Sequence, residues 1–77
     1  MPTIAIIDSI RILIYYWDHM PPHFHAEYNE FEILIEIKSL QILAGSLPAK
    51  QMKRVLRWAK DNKTILLNKW DELNPKS

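Results

Sequence analysis

The feature that most constrains the fold is a single change in the hydrophobic period of the chain, between Gly45 and Pro48. Before it, apolar residues alternate with polar ones or form short β-branched runs, which predicts strands. After it, they recur every three to four residues, which predicts helix. Strands followed by helix indicate an α+β fold: a mostly antiparallel sheet of four to five strands, with a C-terminal helical segment packed on one face.

Turn signals divide the first part of the chain into short segments. Asp8-Ser9 predicts a tight turn, and Asn29-Glu30 predicts a two-residue hairpin turn in which Asn takes a positive φ. The stretch Asp18–Pro22 ends in two prolines, which predicts a stiff loop. The second predicted strand is apolar on both faces, so we expect it to be central. The predicted strands are Thr3–Ile7, Ile10–Trp17, His23–Tyr28, Phe31–Lys38 and Leu40–Ala44.

The second part of the chain predicts helix from Pro48 to Leu73. Pro48 suits the first helical turn, where its missing N–H is not needed. Asn62-Lys63 interrupts the apolar stripe, so one kinked helix or two shorter helices remain as alternatives. We expect Trp70, which lies on the stripe, to be buried against the sheet. The residues of the stripe are Met52, Val55, Leu56, Ala59, Leu66, Leu67, Trp70 and Leu73.

Composition narrows the class of protein. A chain of 77 residues predicts a single domain, 1–77, and its hydrophobic fraction of 48% is high for that size. Such a chain packs efficiently or hides apolar surface against a partner. It has no cysteine, no signal-peptide pattern and no apolar run long enough to span a membrane, so we expect a cytoplasmic protein without membrane association. The net charge of +1 gives no global sign of nucleic-acid binding.

Two of the three histidines lie in the stretch PPHFHAEY, residues 21–28. Because side chains alternate along a strand, His23, His25 and Glu27 should share the face opposite the core. A titratable face of this kind should allow a hydrogen bond between His23 and Glu36 on the next strand. The two-residue turn predicts three cross-strand pairs on this face: His23 with Glu36, His25 with Leu34, and Glu27 with Glu32.

Four interpretations of this face remain open. His23 and His25 could bind zinc with Glu27 or Asp18, or they could move protons in metal-free RNA cleavage. The face could contact a protein partner, or it could be an ordinary solvated surface. Since no second ligand cluster appears, we predict no metal and no cofactor. The candidate catalytic residues are His23, His25 and Glu27, with Glu36, Asp18 and the loop residue His19 in support.

The predicted helix carries a stripe of positive charge opposite its apolar side. The stripe spans an arc of about 120° and contains no acidic residue before Asp61. It is either the ordinary solvated face of an amphipathic helix or a surface for phosphates or an acidic partner. The candidate nucleic-acid or partner-binding residues are Lys50, Lys53, Arg54, Arg57 and Lys60.

Three segments carry a family resemblance: "MPTI", "YYWDHMPPHFHAEY", and "GSLP" leading into a helix with two Trp. The chain resembles, over nearly its whole length, the small bacterial domain of unknown function family four-one-six-zero. Many members have Gly in the hairpin turn where this chain has Asn29-Glu30, a difference that concerns turn geometry. The resemblance implies a toxin–antitoxin arrangement with a small cognate partner. The matching positions are Pro21, Pro22, His23, Phe24, His25, Leu47, Pro48 and Trp70.

The sequence thus leads to two function hypotheses. The first is a toxin-like component of a bacterial toxin–antitoxin pair, acting on RNA or translation through its His/Glu sheet face, with Lys53, Arg54 and Arg57 contacting phosphate. The alternative is a non-enzymatic interaction module whose exposed sheet binds a small partner protein. The near-neutral charge counts against strong RNA binding. A homo-oligomer remains open under both hypotheses.

Overall fold

The computed structural model describes residues 3–75. Its strands form one sheet in the order β1-β2-β3-β4-β5, and each neighbouring pair is antiparallel. Two helices follow, so the predicted α+β fold is confirmed. The elements are β1 Thr3–Ile7, β2 Ile10–Leu13, β3 His23–Tyr28, β4 Phe31–Glu36, β5 Ile42–Gly45, α1 Ala49–Asp61 and α2 Lys63–Leu73.

The hairpin turns have the backbone geometry that their residues favour. Asn29 has a φ of 51°, as the sequence predicts, and the turn sets all the predicted pairs between β3 and β4. Asp8 and Ser9, between β1 and β2, also have positive φ angles of 47° and 67°. Primed turns of this kind match the right-handed twist of the strands, so they hold the register of both hairpins.

Three strands differ in extent from the sequence prediction. β2 ends at Leu13 rather than Trp17, because the chain turns away from the sheet: Trp17 has a φ of 53°, and its N–H lies 3.5 Å from the Leu73 carbonyl oxygen. β4 ends at Glu36 rather than Lys38, where the Leu40 N–H donates to the Glu36 carbonyl in a turn. As a result of this turn, β5 covers Ile42–Gly45 rather than Leu40–Ala44.

Gly45 ends the sheet at a position that accepts no side chain. Its φ is +79°, and a Cβ there would collide with the backbone carbonyl of Glu32. The next residue, Ser46, donates its N–H to the same carbonyl at 3.1 Å. The only glycine in the sequence therefore stands where the chain leaves the sheet for the helices.

The helical segment is divided, as one of the two alternatives predicted. α1 ends at Asp61 and α2 begins at Lys63, with Asn62 between them at a φ of −125°. The Asn62 side chain donates to the Trp58 carbonyl at 2.8 Å, which satisfies a backbone group at the end of α1. Neither helix in the described part of the chain has the length and apolar character needed to cross a membrane.

The core lies between the sheet and the two helices. Ile10, Ile12 and Ile14 face the helices, while Leu13 is buried on the opposite face. β2 is therefore an interior strand with both faces apolar, although β3 is the central strand of the five. Trp70 is 3% exposed and packs in this core, which confirms its predicted burial. The other core residues are Phe24, Ala26, Ile33, Ile35, Ile37, Leu47, Val55, Ala59, Leu66 and Leu73.

Candidate functional site

Three ligating side chains meet where β3 begins. His23 and His25 project from the same face of β3, and Asp18 reaches them from the loop that joins β2 to β3. One carboxylate oxygen, Asp18 Oδ2, lies 3.0 Å from His23 Nε2 and 3.5 Å from His25 Nε2. We call Asp18, His23 and His25 the histidine cluster. One ligand atom from each residue lies within 4.8 Å of the other two.

Aromatic rings enclose the histidine cluster on two sides. The His23 ring lies 5.1 Å from that of Trp70 on α2, and His23 is only 5% exposed. The His25 ring meets Tyr15 edge-on at 4.4 Å. The interpretation of this face as an ordinary solvated surface is therefore wrong at His23, because the Trp70 ring lies beside the buried His23 imidazole.

The second nitrogen of each imidazole also faces an oxygen. His23 Nδ1 donates to the Pro21 carbonyl at 2.8 Å, and His25 Nδ1 lies 3.3 Å from Glu32 Oε2. The predicted hydrogen bond from His23 to Glu36 is wrong, although the two residues are paired in the register as expected. Both His23 nitrogens are already occupied, and the Glu36 carboxylate accepts from the Ser39 hydroxyl instead.

The position of Asp18 depends on the far end of the chain. Its N–H donates to Asn74 Oδ1 at 2.6 Å, and Asn74 Nδ2 donates to the Tyr15 carbonyl at 3.0 Å. The His19 N–H donates to Asp18 Oδ1 at 2.8 Å, which leaves Oδ2 directed at the two imidazoles. Asn74 therefore holds the loop against the end of α2, and the His19 N–H orients the carboxylate.

The surroundings shift the ionisation of two groups. Burial raises the pKa of Asp18, but the His19 N–H, the charge of His23 and hydrogen bonds from both cluster imidazoles lower it, and the net pKa is below the ordinary value. Burial, followed by the charges of nearby carboxylates, raises the pKa of Tyr15. Asp18 is thus held as a carboxylate beside a phenol that stays neutral.

Glu27, a predicted catalytic residue, does not join the cluster. Its carboxylate pairs with Arg11 on β2, where Arg11 Nη1 lies 3.6 Å from Glu27 Oε1. Arg11 lies directly opposite Glu27 in the register of β2 and β3. Extending the alternation of β3 across to β2 would have revealed this pair, which the sequence analysis missed. Asp18, and not Glu27, is the predicted carboxylate that lies close to the His25 ring.

The two remaining supporting residues contribute little to the cluster. The exposed side chain of His19 lies outside it, and only the backbone N–H of His19 contacts Asp18. Glu36 bonds to Ser39, as described above. By contrast, the β2–β3 loop exposes three large side chains next to Asp18, which we call the loop apolar patch. Its members are Tyr16, Trp17 and Met20, which are 61%, 75% and 71% exposed.

The predicted basic residues lie at another part of the sheet. Four of them line an open cleft of about 480 Å³ beside the β1–β2 turn, and Lys60 is not among them. Ile10, at the start of β2, lines this cleft, whereas His25 pairs with Leu13 at the end of the same strand. The structure therefore does not bring the basic residues together with the histidines. The basic cleft consists of Lys50, Lys53, Arg54 and Arg57, with Asp8 2.7 Å from Arg54 Nε.

The geometry of the cluster allows two kinds of chemistry. A carboxylate between two imidazoles can orient them and exchange protons with them, and it can share a cation with them. His23 is too buried to meet a substrate directly, while the side chains of His25 and Asp18 remain 12% and 21% exposed. Any direct contact with a substrate would therefore fall to His25 and Asp18.

Comparison with known proteins identifies a family and no activity. A family model described as a domain of unknown function, DUF4160, matches residues 9–71. This match contains the whole histidine cluster and both helices up to Asp71. No curated protein and no solved structure matches the chain.

Proposed function

We propose that this chain, which belongs to the DUF4160 family, is the toxin-like component of a bacterial toxin–antitoxin pair and acts on RNA in the cytoplasm. The observation that carries the proposal is the placement of the histidine cluster beside exposed aromatic side chains. Tyr16 and Trp17 directly precede Asp18, and both are more than half exposed. Single-stranded RNA is bound by stacking of its bases on rings presented in this way.

His25 is the proposed proton-transferring group. It retains some exposure, and its Nε2 faces the Asp18 carboxylate, which orients the ring. His23 acts as a positioning residue, because it contacts Asp18 from the buried side. Since the basic cleft lies apart from the cluster, stacking rather than phosphate contact should supply most of the affinity. We therefore expect RNA binding with a shallow dependence on salt.

Growth on expression of the chain alone tests the proposal. The wild-type protein should arrest growth, and His25→Ala should relieve the arrest. His19→Ala is the matched control, because it removes an imidazole one residue from Asp18 that lies outside the cluster. Trp17→Ala should also relieve the arrest through lost stacking. Expression levels and melting curves of each variant distinguish lost activity from lost folding.

Two outcomes would count against this function. Growth that is unaffected by the wild-type chain would remove the toxin-like role. Full arrest by a folded His25→Ala protein would remove the proton-transferring role of the cluster. His23→Ala is a weaker probe, since His23 is 5% exposed and contacts Trp70; its loss could act through folding alone.

A second candidate function is binding of a small partner protein through β5. This strand lies at one end of the sheet, and its Ile42 and Leu43 are 51% and 43% exposed. An edge strand with exposed apolar side chains can add a strand from another chain, either from the cognate antitoxin-like protein or from a second copy of this one. The exposed apolar residues of this edge are what favour this candidate.

Charge substitutions at the edge test the second function. Ile42→Lys should abolish co-purification with a small antitoxin-like partner, or dissociate a homodimer in light-scattering measurements. Ile65→Lys is the matched control, because Ile65 on α2 is 52% exposed and lies away from the edge. Equal binding by both variants would exclude β5 as the interface.

A further inference from the structure

We infer that Asp18, His23 and His25 bind one divalent transition-metal ion of the zinc type. The family description assigns no metal, and the sequence analysis predicts none. Metal binding at this place does not rest on the proposed function, and an ion on His25 Nε2 would replace the proton transfer proposed for that nitrogen. The reasons lie in how the ring nitrogens are paired, in the distances between the ligand atoms, and in the groups that hold the ligands.

In a neutral His23 ring, the nitrogen without a proton faces another hydrogen-bond acceptor. A neutral imidazole carries one proton, on one of its two nitrogens. His23 Nδ1 lies 2.8 Å from the Pro21 carbonyl, which can only accept, so Nδ1 carries that proton. The Nε2 lone pair then points at Asp18 Oδ2, 3.0 Å away. Two acceptors repel at this distance unless a proton or a metal ion lies near both.

The neutral His25 ring also has fewer protons than the acceptors that face it. Its two nitrogens face two carboxylates, Glu32 at 3.3 Å and Asp18 at 3.5 Å, yet the neutral ring has one proton to donate. Both imidazoles thus turn Nε2 toward the same carboxylate oxygen, with their ring centroids 5.4 Å apart. A single metal ion satisfies both Nε2 atoms and Asp18 Oδ2 without any extra proton.

The distances suit a zinc ion. Zinc binds histidine nitrogen and carboxylate oxygen at about 2.0–2.2 Å, so adjacent ligand atoms of a tetrahedral site lie about 3.3–3.6 Å apart. Of the two separations from Asp18 Oδ2, 3.5 Å lies within this range and 3.0 Å lies slightly below it. All three ligand atoms fall within 4.8 Å of one another, a separation that side-chain rotation can shorten to that of a zinc site.

The groups behind the ligands are those that metal-binding histidines use. Such a histidine donates its other ring N–H to a carbonyl or a carboxylate, which fixes the tautomer and the direction of the ring. The Pro21 carbonyl serves His23, and the Glu32 carboxylate serves His25. Asp18 is fixed in turn by the His19 N–H and by Asn74. The site is thus held by β3, β4, the loop and the end of α2.

The donor set also selects the kind of metal. Two imidazoles and one carboxylate suit zinc or another first-row transition ion, whereas Mg²⁺ and Ca²⁺ prefer all-oxygen sites. Three protein ligands leave one position of a tetrahedral zinc ion for water or another molecule. The residual exposure of Asp18 and His25 leaves that position accessible, while Trp70 closes the side of His23.

Zinc titration of the full-length, untagged protein tests the inference. Chelator-treated protein should bind one Zn²⁺ per chain by calorimetry, and the ion should raise the unfolding temperature. Asp18→Asn and His25→Ala should weaken binding by more than the roughly tenfold that loss of a group behind a ligand costs, because each removes or weakens a ligand itself. His19→Ala should bind zinc like the wild type. Asp18→Asn keeps the size of the side chain, and circular dichroism verifies that each variant is folded.

A second pair of variants tests the supporting carboxylate. Glu32→Ala should weaken zinc binding by about tenfold, and Glu30→Ala, in the neighbouring turn, should not change it. In ¹⁵N spectra of the histidine side chains, zinc should shift the Nε2 signals of His23 and His25 and leave those of His19 unchanged. Absence of stoichiometric zinc binding, equal binding of Mg²⁺, or unchanged zinc affinity in folded Asp18→Asn and His25→Ala proteins would overturn the inference.

Discussion

The histidine cluster and the basic cleft both gather ionisable side chains, but they organise them in opposite ways. In the cluster, a single carboxylate oxygen contacts two imidazoles, and aromatic rings limit the access of water. In the basic cleft, Arg54 pairs with Asp8 at the surface, with side chains 40% and 70% exposed. The cluster therefore has a fixed geometry that can perform chemistry, whereas the cleft presents exposed positive charge.

Trp70→Ala should cause the largest loss of stability. It should also open the histidine cluster to water, as the basic cleft already is. Trp70 closes the core and also covers His23, so we expect its loss to lower the free energy of unfolding by about 3–5 kcal/mol. Urea denaturation measures the change. Trp17→Ala is the matched control and should stay within about 0.5 kcal/mol, because Trp17 is 75% exposed. Equal stability of the two variants would contradict the packing described for α2.

Asn74→Ala should cause an intermediate change confined to the cluster side. It leaves the Asp18 N–H and the Tyr15 carbonyl without their partner, at a cost of about 1–3 kcal/mol. The β2–β3 loop should also exchange its amide hydrogens faster. Asn68→Ala, on the exposed side of α2, serves as the control and should change the stability by about 0.5 kcal/mol or less. Unchanged exchange in the loop would show that Asn74 does not hold it.

The loss of folding stability at acid pH should depend on Asp18. Because its folded pKa lies below the ordinary value, the stability it contributes is present above the unfolded pKa of about 3.9 and is lost as pH falls through the folded pKa. Denaturation below about pH 5 should therefore show a shallower loss for Asp18→Asn than for the wild type. Asp71→Asn, on exposed α2 surface, should retain the wild-type profile. A steeper loss of stability in Asp18→Asn than in the wild type would contradict this prediction.

Arg54→Ala should cause the smallest change. Its pair with Asp8 is short, at 2.7 Å, but both side chains are exposed, so the contribution should be about 0.5 kcal/mol or less. A double-mutant cycle with Asp8→Ala, measured by urea denaturation at low and high salt, gives the coupling energy directly. A coupling above about 1.5 kcal/mol would mean that the cleft is organised as firmly as the cluster.

Features set by local sequence are predicted correctly, whereas features that depend on distant contacts are not. The register of β3 and β4 follows from alternation and from the turn at Asn29, both of which are local, and every predicted pair is present. The charge of the basic cleft is equally visible in the spacing of its lysines and arginines. The end of β2, by contrast, depends on contacts of the loop with Leu73 and Asn74, so the strand was predicted four residues too long.

The candidate site was predictable in part for the same reason. Alternation places His23 and His25 on one face, but it cannot place Asp18, whose position depends on Asn74, 56 residues away. Nor does it show that Trp70 covers His23, because that contact depends on how α2 crosses the sheet. The sequence prediction named Asp18 only as a supporting residue and an alternative to Glu27, and it paired His23 with Glu36, whereas the fold brings Asp18 to both imidazoles and Glu32 to His25.

The measurement that tests the account most directly is a crystal structure of the zinc-loaded protein, with the metal located by its anomalous scattering. The account predicts one strong peak, about 2.0–2.2 Å from His23 Nε2, His25 Nε2 and Asp18 Oδ2, with the Nδ1 atoms still facing Pro21 and Glu32. No peak at the cluster, or a peak bound by His19 instead, would contradict the claim that these three residues form a prearranged site.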